Sequence, residues 1–416
     1  MIIETVVFIA EELPVPHRSG YSTYNHAFLS ALRASGYQVH LVISGNRFPS
    51  ICFNAAQLLQ LSGLSLHIPQ AIAMPGGWYL AKPLGILKIL YRKFGHVFNL
   101  LHNRLPQANS VKPVTIGRWL NQRDMTRLTP ILHSLSPQLI FVDTLFRSPI
   151  LAGIQNTCHK VLIGHDVFSM RCQSMAASGF QPSPFIGRQD EAAILQKFDA
   201  IIAITENDAA EYQQLQPDCR VVTLPSPVTP VSQCSERPDS GRIFYLGSQA
   251  HHNVDGLQWF LQQVWPLVLQ KNSHLGLDVV GSIGASISGQ YPNVIFHGRL
   301  DDFSALAERA MFAINPVRAG SGMKIKILDY LAHGLACITT SVGVAGFPGQ
   351  QERPLAVCDD AESFAQTVLE WSGNPAQCND LSAQALEYVT RFSGDEFNTG
   401  LQRLITDTLA IKEPAG

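Results

Sequence analysis

The 416 residues, 46% hydrophobic and 15% charged, exceed what one ordinary core needs and exclude a peptide module, a disulfide miniprotein and an intrinsically disordered chain. The net formal charge of -2 conceals an asymmetry: from Leu13 to Arg123 there is no Asp or Glu, while eleven Lys and Arg give that stretch +11 and leave -13 on the rest. So one-sided a field points to an anionic partner for the first quarter of the chain, whether phosphate, acidic glycan or an anionic membrane surface.

In chain order, an apolar strand at 2–10 precedes a loop with Pro14, Pro16, Ser19 and Gly20, a helix at 24–34, Gly36 in the C-cap place and a second strand at 38–43. The start lacks a basic leader and runs into Glu11 and Glu12, which fits a buried strand better than a signal peptide. Over 82–104, Leu87, Leu90, Tyr91, Phe94, Val97, Phe98 and Leu101 recur at helical spacing opposite Lys88, Arg92 and His96, after Trp78 and Tyr79. That pattern suits either a stripe packed on the sheet or an interfacial membrane contact. Apolar strands follow at 139–142, 161–163, 200–204 and 221–223, spaced for intervening helices, so a parallel sheet covered on both faces is expected.

From Leu224 to Ser240 four prolines break the pattern, which marks a linker. Beyond it strands at 242–246, 275–280, 294–297, 312–315 and 336–340 alternate with helices at 254–269, 304–310 and 324–332. The expected fold is α/β, with two Rossmann-like doubly wound domains facing across a cleft: 1–228 for the acceptor and 229–394 for the donor, with a terminal helix at 395–416 that can return to the first. Eight scattered cysteines without a C-x-x-C pair read as reduced buried thiols, hence a cytoplasmic chain, and no apolar run reaches the roughly 18 to 20 residues of a membrane span.

The segment from Ala313 carries the most chemistry. Gly320, Ser321 and Gly322 form a small-residue loop before a helix, where backbone N–H groups and the helix dipole can approach an anion. Lys324 and Lys326 lie in the first turn, where cations are unfavourable unless something negative is bound, and a diphosphate resolves that conflict. Asp329, one turn on, can accept both hydroxyls of a ribose. In the first half, His165-Asp166 follows a strand at the sheet edge. The imidazole there can hydrogen-bond a sugar hydroxyl, and Asp166 can fix its tautomer or cap the next helix. Asp143 ends another strand, where it can face the acceptor or serve as an N-cap, and Arg171 is positioned to meet acceptor or phosphate, so Asp143, Asp166 and Arg171 are the expected acceptor-binding residues.

Pro316, Gly320 to Gly322, Lys326, Leu328, Asp329, Leu331, Ala332 and Gly334 fit the signature P-x-x-x-GSG-x-x-x-K-[IV]-L-[ED]-x-[LM]-A-x-G, and Gly247, Asn253, Trp259, Phe260, Trp265 and Pro266 fit the stretch upstream. In these residues the chain resembles the family 4 glycosyltransferases of the GT-B fold. The resemblance implies a nucleotide-sugar donor in the C-terminal half and a glycan or lipid-linked acceptor in the N-terminal half. It further implies metal-independent transfer with retention and a ribose-holding role for Asp329. It places His165 at the acceptor side and Ser19-Gly20 near the donor phosphates. Two positions depart from the pattern. Arg318-Ala319 stand where many relatives carry a glutamate, and the first donor-domain loop reads Gly247-Ser248 and His252-Asn253, which leaves phosphate neutralisation to Arg318, Lys324 and Lys326.

Absences agree. There is no D-x-D for a divalent-metal diphosphate site, no P-loop, no dinucleotide fingerprint after the first strand and no G-x-S-x-G elbow. His251-His252 without neighbouring ligands is a poor metal site, so neither metal nor cofactor beyond the donor is expected, and nothing points to nucleic acid. The expected enzyme is a hexosyltransferase peripheral to the inner face of a membrane. Other classes compatible with the residues are a non-catalytic binding subunit, suggested by the missing glutamate, and a nucleotide-sugar epimerase.

Overall fold

The computed structural model describes residues 5–16, 19–83, 85–87, 89–90, 113–155, 157–177, 179–231, 237–300, 302–320, 322–349 and 352–410. The chain divides into two compact units, residues 1–203, 209–224 and 400–416 in the first and 204–208 with 225–399 in the second. Within the first lies a seven-stranded, wholly parallel sheet. Its strands run in the order Arg220–Thr223, Ala200–Ala203, His159–Gly164, Leu139–Asp143, Thr5–Ala10, Gln38–Ile43 and Ser65–His67. Val6 to Ala10 are buried without interruption, because a parallel strand is covered on both faces and needs no polar side. Sequence order reverses direction between Thr5–Ala10 and Leu139–Asp143, and at such a switch point the loops at the carboxyl ends diverge and leave room for a ligand.

The second unit repeats the principle with six parallel strands in the order Val294–Gly298, Gly276–Val280, Arg242–Leu246, Phe312–Asn315, Cys337–Thr339 and Leu355–Val357. Alternation along Arg242–Leu246 serves two cores. Ile243 and Tyr245 face a cluster containing Leu257, Phe260 and Trp265, while Phe244 faces one containing Ile327, Leu328 and Leu331. Its switch point lies between Arg242–Leu246 and Phe312–Asn315.

Three features differ from the periodicity reading. The helix expected over 254–269 starts at His251 and passes through a π-helical turn, Phe260–Val264, before resuming at Trp265–Lys271; Pro266 has no N–H to give the α-helical ladder. Cys52–Asn54, Trp78–Ala81 and Ala71–Met74 form a small antiparallel sheet turning at Pro75–Gly77, which periodicity passed over because each run is only three or four residues long. The amphipathic stretch over 82–104 lies mostly outside the described residues. In its described part Leu87 and Leu90 are exposed and Ile89 is buried, so the stripe does not follow the expected face there.

Gly256 sets how closely the His251–Trp259 helix meets the loop after Phe312–Asn315, since a Cβ there would lie 2.3 Å from the Pro316 carbonyl oxygen. We expect Gly256→Ala to lower stability by about 1 to 3 kcal/mol through overpacking. A lowered midpoint in thermal unfolding checks this; an unchanged one would mean the helix shifts freely.

Candidate functional site

The loops at the switch point of the second unit carry one group of side chains. Gly320 and Gly322 adopt φ of 119° and 70°, in the left-handed half of the map, which is how the loop turns tightly enough to aim a helix N-terminus into the switch point. The helix Ile325–Ala332 starts there with Lys324 at its N-cap and no acid in its first turn. Ser321 lies outside the described residues. Lys324 is buried, its ammonium donating to the Gly322 carbonyl at 2.7 Å. Lys326 donates to Asn253 Oδ1 at 2.7 Å and stands over the Tyr245 ring, 4.9 Å from its centroid. Asn253 in turn donates to the Ser248 hydroxyl at 3.2 Å, tying Lys326 to the loop after Arg242–Leu246.

The electrostatics are those of a site short of counter-charge. Burial above all, with the like charge of Lys324 adding to it, pushes Lys326 down to about 7. Burial alone pushes Asp329 up to about 7, and its carboxylate has no hydrogen bond or ion pair among the described residues. Its backbone carbonyl accepts from His333 Nδ1 at 2.8 Å, so the helix end is held while the carboxylate is left for another partner. A bound diphosphate supplies the negative charge that a buried ammonium and a helix N-terminus both favour, and a ribose supplies donors for an acceptor-only carboxylate.

Arg318 stands apart from this group. Its guanidinium meets both carboxylate oxygens of Asp255, at 3.0 Å each from one nitrogen, and lies 5.4 Å from the Trp259 ring centroid. To bind phosphate it must leave a bidentate partner. Sequence reasoning overlooked Asp255 and gave Asn253 no contact with Lys326. The signal available was their position, two and four residues into the helix after Gly247-Ser248-Gln249-Ala250.

At the switch point of the first unit Ser19 caps the helix Gly20–Ala34, accepting from Ser22 N at 3.2 Å, so Gly20 opens that helix. His165 Nε2 lies 2.9 Å from Asp143 Oδ1, and the Tyr21 and Tyr24 rings flank the imidazole at 4.7 and 5.2 Å between centroids. Asp143 is fully buried. Burial raises its pKa, opposed first by the His165 hydrogen bond and then by the charges of His165 and Arg147. Among the described residues its Oδ2 has no hydrogen-bond partner, and Thr144 beside it holds a φ of 63°, unusual for a β-branched residue.

This arrangement corrects two assignments. Asp143 does not face an acceptor, because it is the buried group that orients His165. The carboxylate at the ring nitrogen is that of Asp143, whereas Asp166 pairs with Arg171 at 2.6 Å and accepts from the Tyr212 hydroxyl at its carbonyl. The buried Glu191, from the neighbouring helix Arg188–Leu195, accepts from Phe168 N and Ser169 N at 2.9 and 2.7 Å and so caps Phe168–Ala177. Arg171 is accordingly already paired. A partner so remote in sequence is invisible to local capping rules.

Residues 240–374 match the family model described as Glycosyl transferases group 1. A Klebsiella pneumoniae protein, the uncharacterized 44.6 kDa protein in cps region, is 25% identical over 149 residues, spanning 33% of this chain and 38% of that protein. Solved structures match nearly end to end. One is the S. aureus TarM mutant in complex with fondaparinux, alpha-GlcNAc-glycerol and UDP, with a TM-score of 0.68, 10% identity, and coverage of 97% of this chain and 99% of that one. Sucrose-phosphate synthase from Thermosynechococcus elongatus matches with a TM-score of 0.68 and 14% identity, over 98% of this chain and 100% of that one. HepE from Anabaena, in complex with UDP and glucose, matches with 0.62 and 10%, over 97% and 100%. The chain thus has the GT-B fold of two Rossmann-like domains.

Proposed function

We propose that the protein is a glycosyltransferase that moves a sugar from a nucleoside diphosphate sugar to a hydroxyl of a glycan or lipid-linked acceptor, without a metal ion and with retention at the anomeric carbon. The observation that carries this reading is the group Gly320, Gly322, Lys324, Lys326 and Asp329 around the helix N-terminus at the donor-unit switch point, inside the segment that matches the family model. UDP in the TarM and HepE complexes supports uridine diphosphate as the nucleotide.

In this reading Asp329 holds the ribose, while Lys326 and the backbone N–H groups of the helix N-terminus receive the diphosphate. As the glycosidic bond breaks, its electron pair goes to the diphosphate oxygen, and the growing charge meets a cationic site prepared for it. With retention, that same oxygen takes the acceptor proton on the face it leaves. In the first unit His165, oriented by Asp143, hydrogen-bonds a sugar hydroxyl.

The deciding experiment incubates the purified protein with UDP-sugars, with and without candidate acceptors, and follows products by mass spectrometry. Transfer or slow hydrolysis with release of UDP supports the reading. Interconversion of donors alone identifies an epimerase, and binding without turnover a non-catalytic subunit. Activity is expected to survive EDTA; abolition with rescue by manganese would overturn the metal-free mechanism.

Asp329→Ala is expected to weaken UDP and uridine binding alike, by about 1.5 to 3 kcal/mol, because the lost contact is to the ribose they share. Calorimetric titration checks it, and an unchanged dissociation constant in a folded variant would remove Asp329 from the site.

A further inference from the structure

The small antiparallel sheet of the first unit presents exposed apolar side chains on one face. The strand register places Cys52 opposite Leu80, Ile72 opposite Leu80 and Met74 opposite Trp78, so these side chains share one face. Ile72 is 51% and Trp78 42% exposed, and Cys52 is exposed beside them. Ile51, just before the first strand, is exposed too, its carbonyl accepting from Ala81 N at 2.8 Å, and after Ala81 the chain passes into a segment where Leu87 is 63% exposed and Leu90 is exposed as well. Twelve large hydrophobic side chains are exposed among the described residues, and five of them fall between Ile51 and Leu90. The opposite face is a packed core in which Phe53 stacks between Phe48 and Tyr79.

The exposed cations in the segments next to this sheet are Arg47, next to Phe48, and Lys82, whose ammonium also donates to the Pro69 carbonyl at 2.7 Å. In the sequence no carboxylate occurs between Leu13 and Arg123. A solvated surface normally mixes both signs, and a face meant for a second copy of itself would bring like charges together. An exposed Trp and aliphatic side chains beside Arg and Lys, with no acid, suit the boundary between lipid headgroups and acyl chains.

We propose that this sheet face and the segment leaving it form a docking surface for an anionic lipid bilayer. Ile72, Trp78, Leu87 and Leu90 enter the headgroup boundary while Arg47 and Lys82 meet lipid phosphates. The proposal does not depend on the transferase reading.

The test is cosedimentation of the full chain with vesicles of phosphatidylcholine mixed with phosphatidylglycerol, and with phosphatidylcholine alone, at low and high salt. An environment-sensitive fluorophore on Cys52 reports insertion, with Cys52→Ser as the labelling control. Binding to the anionic vesicles only, weakened by salt, with a blue shift at Cys52, is expected. Arg47→Glu with Lys82→Glu should lower partitioning by about tenfold or more, as charges at the leaflet surface require. Ile72→Ala with Trp78→Ala should lower it by about tenfold without changing UDP affinity, which also certifies the fold. No partitioning at low salt, or equal partitioning of all variants, would sink the proposal. So would an oligomer in solution that Ile72→Ala with Trp78→Ala converts to monomer while vesicle binding is unchanged, since the face would then belong to a protein partner.

Discussion

Replacing both donor-site lysines, Lys324→Ala with Lys326→Met, is expected to lower kcat on the order of a hundredfold or more, with a much smaller rise in KM. Leaving-group charge grows toward the transition state, so a group that meets it stabilises that state more than the bound substrate. Lys326 starts as a buried ammonium held down to about 7, over an aromatic ring and against an amide oxygen. Its desolvation is thus already in place before the diphosphate arrives. Binding a diphosphate raises its proton affinity, so the complex takes up protons. In the wild type the UDP affinity should therefore fall as pH rises above about 7, where the free protein loses the Lys326 proton. Asp329 works in the opposite sense, since its carboxylate forms as pH rises through about 7, and uridine binding should strengthen over that range. The ratio of UDP to uridine affinity isolates the phosphate part. Calorimetry over a pH series should show that ratio decreasing with pH in the wild type and flat in Lys326→Met. A ratio equally steep in the variant would place the titrating group elsewhere.

The second large effect is expected at the first-unit switch point, where Asp143→Asn should reduce kcat/KM by about 2 kcal/mol, roughly thirtyfold, at unchanged UDP affinity. Asparagine keeps the shape of the buried group but removes its charge. Its amide can also turn and donate to His165 Nε2, which moves the ring proton to Nδ1 and changes what the imidazole offers a sugar hydroxyl. Nitrogen NMR of the His165 ring distinguishes the two tautomers directly. In the proposed reading Asp143 acts through His165, whereas a purely structural role would alter thermal stability and leave the tautomer as it was. Asp143→Ala should cost more stability than Asp143→Asn, because it leaves the His165 partner site without an acceptor in a closed environment. Normal kcat/KM in a folded Asp143→Asn variant would dismiss the pair from the reaction.

The two halves of the candidate machinery were unequally legible in the sequence. The donor-side loop is a local device: two glycines, a helix start, two lysines and a carboxylate within ten residues of one another, each constrained by backbone geometry that one segment dictates. Strand and helix alternation was legible for the same reason, since buried parallel strands are continuous apolar runs and each needs a crossover before the next. What Arg318 does was not legible, because Asp255 lies on another element and captures it.

On the other side, the sequence placed His165 beside Asp166 and invited the neighbour to serve as its partner. The folded unit chose Asp143, 22 residues earlier, because adjacent parallel strands set side by side the carboxyl ends that sequence keeps apart. Glu191, 22 residues beyond Ser169, became the helix cap in the same way. By itself, then, the sequence determined two doubly wound halves, the glycine loop that opens the Ile325–Ala332 helix and the acid-free quarter, all of which follow from local periodicity, spacing and composition. Only the tertiary structure decided which carboxylate meets which cation and which apolar faces stay uncovered. Those choices depend on strand order and on packing between elements remote in sequence, and no local rule constrains either.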